Sequence, residues 1–171
     1  MAREKPADLF QSLIQGLSDL DVQVLRSVTR ELSFERGAIL MKEGDQGQSM
    51  MLILEGKVVV LKRANTPNPE VVASRGPGDI LGEMNFVSGS TRSATIRAQT
   101  DVLVEMFPFD ELVPLLAEYH RISSQIAWNL ARILATRLGE ATTRVWDLEG
   151  EVRLSTQQLD RWRARGVREK G

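Results

Sequence analysis

Apolar positions change period twice along the chain. Over residues 8–36, Leu20, Val24, Leu25, Val28 and Leu32 recur at helical spacing, the rhythm that lines one face of a helix. Ser18 followed by Asp21 has the form of a capping signal, in which short polar side chains satisfy the first free backbone N–H groups. A shorter turn, Leu9 to Ile14, precedes it. From Gly37 to Pro108 the texture is different. Short apolar runs are separated by glycine, proline and polar clusters at intervals of roughly 8–12 residues, the rhythm of an all-β roll or barrel. "AILMKEGDQGQS" reads as a strand entering a turn, and "MMLILEGKVVVLKR" as two strands around Glu55-Gly56. "ANTPNPE" is a hairpin loop, "EVVASRGPGDILG" a strand and turn, and "RSATIRAQTDVLVEMF" a pair of strands. Gly37, Gly44, Gly47, Gly56, Gly76, Gly78, Gly82 and Gly89 all fall in this region, where corners need them.

After Phe109 the helical period returns. "FDELVPLLAEY" predicts a short helix interrupted at Pro114, because proline lacks the N–H that a helix interior uses. Ile122, Ile126, Leu130, Ile133 and Leu134 then lead into Leu138, Ala141, Val145, Leu148 and Val152. From Leu134 onward the steps are 4, 3, 4, 3 and 4, a heptad-like seam. So narrow a stripe suits a partner helix better than a broad globular core, and the expectation is a homodimer through this helix. Over 151–171, Arg153, Arg161, Arg163, Arg165, Arg168 and Lys170 stand against three acids. The stretch 153–171 is expected to be a flexible basic tail.

Composition removes whole classes of function. A formal net charge of −1 predicts no general attraction to nucleic acid or to an anionic membrane. No apolar run approaches the roughly 20 residues that span a bilayer, and "MAREKPADLFQ" lacks the apolar core of a secretory signal. Cysteine is absent and His120 is the single histidine, which leaves no thiol nucleophile, no cysteine zinc site and no histidine triad. No base is evident for a nucleophile to pair with. The expectation is a cytoplasmic protein with no catalytic residues and no metal.

The chemistry concentrates in "GDILGEMNFVSGSTRSATI". Gly82 leads into Glu83, Met84, Asn85 and Phe86, enough for one helical turn between strands, whose first N–H groups have no internal partners. Arg92 follows a tight polar loop. Its planar guanidinium can give a phosphate two parallel hydrogen bonds. Ser93 adds a short hydroxyl donor and Ala94 a backbone N–H. An ionised Glu83 accepts only, so a phosphate repels it and a sugar hydroxyl suits it. One ligand with an anionic phosphate and a ribose 2′-OH answers both ends, which describes a cyclic nucleotide. Glu83 and Arg92 paired with each other, closing the roll with no ligand, is the competing reading.

"LGEMNFVSGSTRSATI" resembles the phosphate-binding cassette of cyclic nucleotide-binding domains, as in protein kinase A regulatory subunits and the bacterial catabolite activator protein. Gly82, Glu83, Met84, Phe86, Arg92, Ser93 and Ala94 fall on the cassette positions. "FERGAILMKEGDQGQSMMLILEGKVVVLKR" and "GPGDILGE" are similar to the family's approach to it, and the likeness runs from about Leu9 to Leu148. The resemblance implies an α+β fold: an antiparallel, jelly-roll-like β-roll flanked by N-terminal helices and a long C-terminal helix. It divides the chain into N-terminal helices 1–36, a roll 37–108 with the cassette at 81–96, C-terminal helices 109–152 serving as lid and dimerisation seam, and the tail. It implies that Glu83 binds the ribose 2′-OH, that Arg92 neutralises the phosphate, and that Ser93 and the backbone of Gly82, Ala94 and their neighbours complete the cradle. Met84 belongs to the same ligand-binding set. Thr136, Arg137 and Leu138, with Thr142 beyond them, are the candidates for reading the base, Arg137 by stacking on a purine. Asn85 departs from the family's alanine or glycine and either caps the turn or crowds the sugar. Ser93 is compatible with cAMP and does not exclude cGMP; cAMP is favoured.

The family's transcription regulators continue into a helix-turn-helix, whereas only about twenty residues follow the long helix here, without a recognition-helix pattern. No DNA binding by this chain is therefore expected. Three readings remain: a nucleotide sensor that signals by moving its C-terminal helix, to itself or to an unidentified protein partner; a ligand-free, homodimeric interaction scaffold; and a transcription regulator of the same family cut short.

Overall fold

The computed structural model describes residues 11–166. Leu9, Arg168 and Lys170 lie outside the described residues. The chain divides into two compact units, Met1–Ala131 and Arg132–Gly171.

The first unit opens with α1 (Gln11–Ile14) and α2 (Asp19–Arg26). Ser18 caps α2 as its spacing to Asp21 predicts: the Asp21 N–H donates to Ser18 Oγ at 3.3 Å, and the Ser18 N–H donates to Asp21 Oδ2 at 2.9 Å. Such a cap is worth about 1 kcal/mol. These bonds from Ser18, with Arg121 at 2.5 Å, hold the Asp21 carboxyl below the usual carboxylate range.

The helical reading stops short of residue 36. The Thr29 N–H donates to the Arg26 carbonyl at 3.2 Å, and Arg30–Phe34 is a strand, β1. Leu32 satisfied the helical period by chance of spacing. In the strand it shares a face with Phe34, and both pack on the core. The ladder to β8 (Val102–Pro108), with Leu32 opposite Val104, supplies the backbone partners, and a tertiary pairing of this kind overrides a local preference.

The remaining strands are β2 (Ile39–Met41), β3 (Ser49–Glu55), β4 (Val58–Lys62), β5 (Glu70–Arg75), β6 (Ile80–Leu81) and β7 (Thr95–Ala98). They form two four-stranded sheets, in the orders β1-β8-β3-β6 and β2-β7-β4-β5, and every pair is antiparallel. The pair read around Glu55-Gly56 crosses from one sheet to the other, as does the pair β7 and β8. The proline-bearing loop at 63–69 instead joins true ladder partners, with Lys62 opposite Glu70.

Met51, Ile53, Leu81, Val102 and Val104 of the first sheet meet Met41, Val58, Ile96 and Ala98 of the second in the roll's core. β3 is buried along its length up to Glu55, so its other face also needs an apolar cover. Leu13, Leu25, Leu112, Leu115, Ile122, Ile126 and Leu130 are the buried helical residues available to supply it. Each such side chain contributes about 1.5–3 kcal/mol.

α4 (Phe109–Glu118) is not interrupted at Pro114. Pro114 is exposed, so the carbonyl left without its N–H can be hydrated where the helix faces water. α5 then runs from His120 to Gly166 over 47 residues. Within the first unit Asn129 is buried, and its amide donates to the Leu13 carbonyl at 2.6 Å and the Gln15 carbonyl at 2.9 Å. It thereby satisfies carbonyls that the end of α1 leaves open. In the second unit α5 continues through 153–166, most of the stretch expected to be a tail, where no glycine or proline intervenes before Gly166. Leu138, Val145, Leu148 and Val152 are 69%, 54%, 54% and 66% exposed.

Candidate functional site

Glu83–Ser88 forms α3, the short turn expected between β6 and β7. Gly82 is its N-cap, at φ +81°. A side chain there is excluded twice: the backbone is left-handed, and a Cβ would stand 2.2 Å from Arg92 Nη1 and 2.9 Å from the Ser49 carbonyl oxygen. Arg92 therefore reaches under the start of the cassette through space that only glycine leaves open.

The segment carrying Arg92 is sewn to the turn after β2. The Arg92 N–H donates to the Asp45 carbonyl at 2.8 Å, and the Gly44 N–H donates to the Arg92 carbonyl at 2.9 Å. Glu43 holds this turn. One of its carboxylate oxygens accepts from Lys62 Nζ at 2.8 Å, the other from the Arg63 N–H at 3.0 Å, and its own N–H donates to Thr95 Oγ1 at 3.0 Å. Lys62 Nζ also donates to the Ser93 carbonyl. The Lys62 bond leads in holding the Glu43 carboxyl below its usual range. Arg63 is the one non-glycine residue at positive φ among the described residues.

Glu83, Asn85 and Arg92 are buried here, at 3%, 6% and 8% exposure. Arg92 Nη2 donates to the Ser49 carbonyl at 2.7 Å, while Nη1 is buried with no hydrogen-bond partner. Leaving such a group unmade costs about 1–3 kcal/mol or more. Burial pulls the guanidinium pKa below its ordinary value, and attraction to Glu83 opposes that. Asn85 Nδ2 donates to the Ser90 carbonyl and the Gly89 N–H donates to the Asn85 carbonyl, so Asn85 closes the loop from within. Its Oδ1 is also without a partner.

Gly82, Glu83, Met84, Arg92, Ser93 and Ala94 are thus gathered in one place. Ser93 is exposed with Oγ 3.7 Å from Met84 Sδ, Met84 is half exposed, and Ala94 is half-buried. A cavity of about 340 Å³ opens beside Arg92, lined also by Met41, Asp45, Gln48, Ser49 and Met51. A larger one of about 510 Å³, against the start of α4, shares Gln48 and Ser49 with it and contains none of the predicted residues. Of the predicted residues Arg92 lines the smaller one, whereas Gly82, Glu83, Met84, Ser93 and Ala94 do not. Thr136, Arg137 and Leu138 belong to the second unit of α5, where Thr136 Oγ1 bonds back to the Arg132 carbonyl.

The sequence reading missed the Glu43–Lys62 brace and Asn129. Glu43 had a faint signal, an acid between a strand and the glycine turn that follows it. Asn129 had none, because its partners are 114 and 116 residues away.

Comparison with known proteins gives this geometry a context. Residues 31–119, just over half of the chain, match the family model described as "Cyclic nucleotide-binding domain". The "Cyclic AMP receptor protein" of Thermus thermophilus is 32% identical over 130 residues, covering 75% of this chain and 58% of that protein. The "CRP-like cAMP-activated global transcriptional regulator" of Mycobacterium tuberculosis is 27% identical over 136 residues, covering 80% and 59%. The chain thus spans about three-fifths of the length of these relatives. Among solved structures, a cyclic nucleotide-binding domain from Methylobacillus flagellatus aligns with a TM-score of 0.74 and 27% identity over 81% of each chain. The chain belongs to the cyclic nucleotide-binding domain family, a family of regulatory domains with a β-roll fold.

Proposed function

We propose that the chain is a cytoplasmic regulatory module that binds cAMP in preference to cGMP and signals by moving α5. The observation that carries this reading is Arg92: a guanidinium more than nine-tenths buried, with an unpartnered Nη1 beside a cavity and a buried carboxylate at Glu83. A phosphate would meet the guanidinium, a ribose 2′-OH would meet Glu83, and Ser93 with the Gly82 and Ala94 backbone would complete the cradle. The cAMP preference is supported by the names of the relatives, and Ser93 is compatible with it. The base-reading roles of Thr136, Arg137 and Leu138 rest on the family resemblance. For binding to move α5, the nucleotide must favour one helix position over another.

Titration calorimetry with cAMP and cGMP tests this. The expected result is binding of both with cAMP tighter, and at least a hundredfold loss in Arg92→Ala. No heat from either nucleotide at high micromolar concentration overturns it. Protection of α5 amides against hydrogen exchange that does not change with nucleotide overturns the signalling step alone.

A second reading has its own observation, the exposed seam of Leu138, Val145, Leu148 and Val152. It makes the chain a homodimeric scaffold whose roll needs no ligand. It predicts a dimer by light scattering and a melting temperature indifferent to nucleotides; a monomer at all concentrations counts against it. Since the Mycobacterium tuberculosis relative is named a transcriptional regulator, the chain as the sensing part of a longer regulator is a third reading, decided by whether the reading frame runs on past Gly171.

A further inference from the structure

Two side-chain atoms among the described residues are buried without any hydrogen-bond partner, Asn85 Oδ1 and Arg92 Nη1. One is an acceptor and the other a donor, and their side chains close over the same spot. A Cβ on Gly47 would stand 1.7 Å from Asn85 Oδ1, 2.4 Å from Asn85 Cγ and 2.9 Å from Arg92 Cζ. Gly47 is not at a positive φ, so its lack of a side chain serves space rather than backbone freedom. The space is filled by the Asn85 amide.

Resting on the reading of the cradle as a phosphate site, we infer that Asn85 is a positioning residue: its Oδ1 is the acceptor that sets the plane of the Arg92 guanidinium when the phosphate engages it. The amide cannot easily turn away. Its Nδ2 is committed to the Ser90 carbonyl, at the far end of the loop that α3 opens, and that bond leaves Oδ1 facing Gly47 and Arg92. Arg92 is held at one nitrogen, Nη2 on the Ser49 carbonyl at 2.7 Å. A single bond fixes where the fork sits and leaves its plane free to rock. Two-point recognition of a phosphate needs that plane fixed, and a second acceptor fixes it.

The choice of an amide also has a chemical reason. A carboxylate at 85 would orient the guanidinium equally well, but it would neutralise Arg92 and repel the phosphate. An alanine would remove the repulsion and the orientation together, and would leave the Ser90 carbonyl without its donor. A neutral acceptor alone orients Arg92 without competing for its charge.

The test uses the full chain and two routes to the same contact. Asn85→Ala deletes the acceptor, and Gly47→Ala keeps Asn85 but presses on both its Oδ1 and Arg92 Cζ, so Asn85→Ala is the variant that isolates the acceptor. Nitrogen-15 NMR of the Arg92 side chain, in saturating inorganic phosphate, reads how fast its guanidinium protons exchange with water. Both variants are expected to speed that exchange at least tenfold, and unchanged exchange in the two overturns the inference. The second readout is the ratio of affinities for the two phosphorothioate diastereomers of cAMP, which differ only in which phosphorus-bound oxygen is replaced by sulfur. If Asn85 sets the plane of the fork, Asn85→Ala changes that ratio at least fivefold. If affinity for both diastereomers falls in parallel, Asn85 merely holds the loop and the inference is overturned. Asn85→Asp is expected to weaken cAMP more than Asn85→Ala does, and the reverse order also overturns it. A wild type that binds no nucleotide, with guanidinium exchange still dependent on Asn85 and Gly47, sinks the nucleotide reading while leaving Asn85 as the residue that orients Arg92.

Discussion

The β-roll and the second unit of α5 treat their apolar residues in opposite ways. Met50, Leu52, Ile53, Val104 and Phe107 in the roll have no measurable exposure, and two sheets with their helical cover enclose them. Leu138, Val145, Leu148 and Val152 follow as regular a pattern, yet each is more than half exposed. The polar groups divide in the same sense. In the roll Glu83, Asn85 and Arg92 are buried within a bonded frame, whereas the second unit is a helix whose hydroxyls at Thr136 and Thr142 bond only to the preceding turn. A pattern satisfied inside its own unit stabilises the fold. One left exposed stabilises nothing until something covers it, so the roll carries the chain's stability and the helix has apolar surface to offer.

The sharpest way to break this contrast is to cut into each region. Ile53→Ala, in the packed core, is expected to lose about 2–5 kcal/mol of stability in urea unfolding. Val145→Ala should change that unfolding by less than about 0.5 kcal/mol, and a loss comparable to Ile53→Ala would show that the seam is already buried. Gly82→Ala comes next. Positive φ and the close approach of Arg92 together should cost about 2 kcal/mol or more, read by the same denaturation. Leu138→Asp with Val145→Asp should leave the melting temperature near that of wild type while abolishing any dimer seen by light scattering; a dimer that survives both charges places self-association elsewhere.

Two smaller effects sharpen the electrostatic side. Glu105 is buried on β8 and accepts from Thr29 Oγ1 at 2.5 Å. Burial pushes its carboxyl above the usual range and Glu31 adds to that, against the Thr29 bond and Arg26. A raised carboxyl favours the folded state fully only below the ordinary carboxylate pKa, and that contribution is lost as pH rises through the raised value. Glu105→Gln keeps the acceptor and discards the charge, so it should stabilise the protein by up to about 1 kcal/mol near neutral pH. The gain should vanish towards pH 4, and a gain constant with pH would rule out this cause. The Arg30–Glu111 pair has Arg30 well exposed, so Arg30→Ala should cost no more than about 0.5 kcal/mol, most of it removed by salt.

Much of this architecture was legible in the chain. The switch from helical period to glycine-punctuated strands marked the roll, and the spacing from Gly82 to Ala94 marked residues that the fold does bring together. Legibility failed wherever the decisive partner was distant. Leu32 fits a helix until β8 is placed beside it. Pro114 looks like a break until the helix is seen to turn it towards water.

What the sequence determined by itself was local: periods, caps, corners and the short loop that carries both a carboxylate and a guanidinium. Only the tertiary structure decided which strands share a sheet, since corners such as Glu55-Gly56 hand the chain from one sheet to the other. It also decided that Asn85 closes the cassette loop and that Glu43 and Lys62 brace the segment below it. Gly47 is the plainest case: in the sequence it is one more turn glycine, and in the fold it leaves the space that the Asn85 amide and the Arg92 guanidinium both border. Those facts are contacts between residues far apart in the chain, and a period records only the neighbours within one turn or one strand.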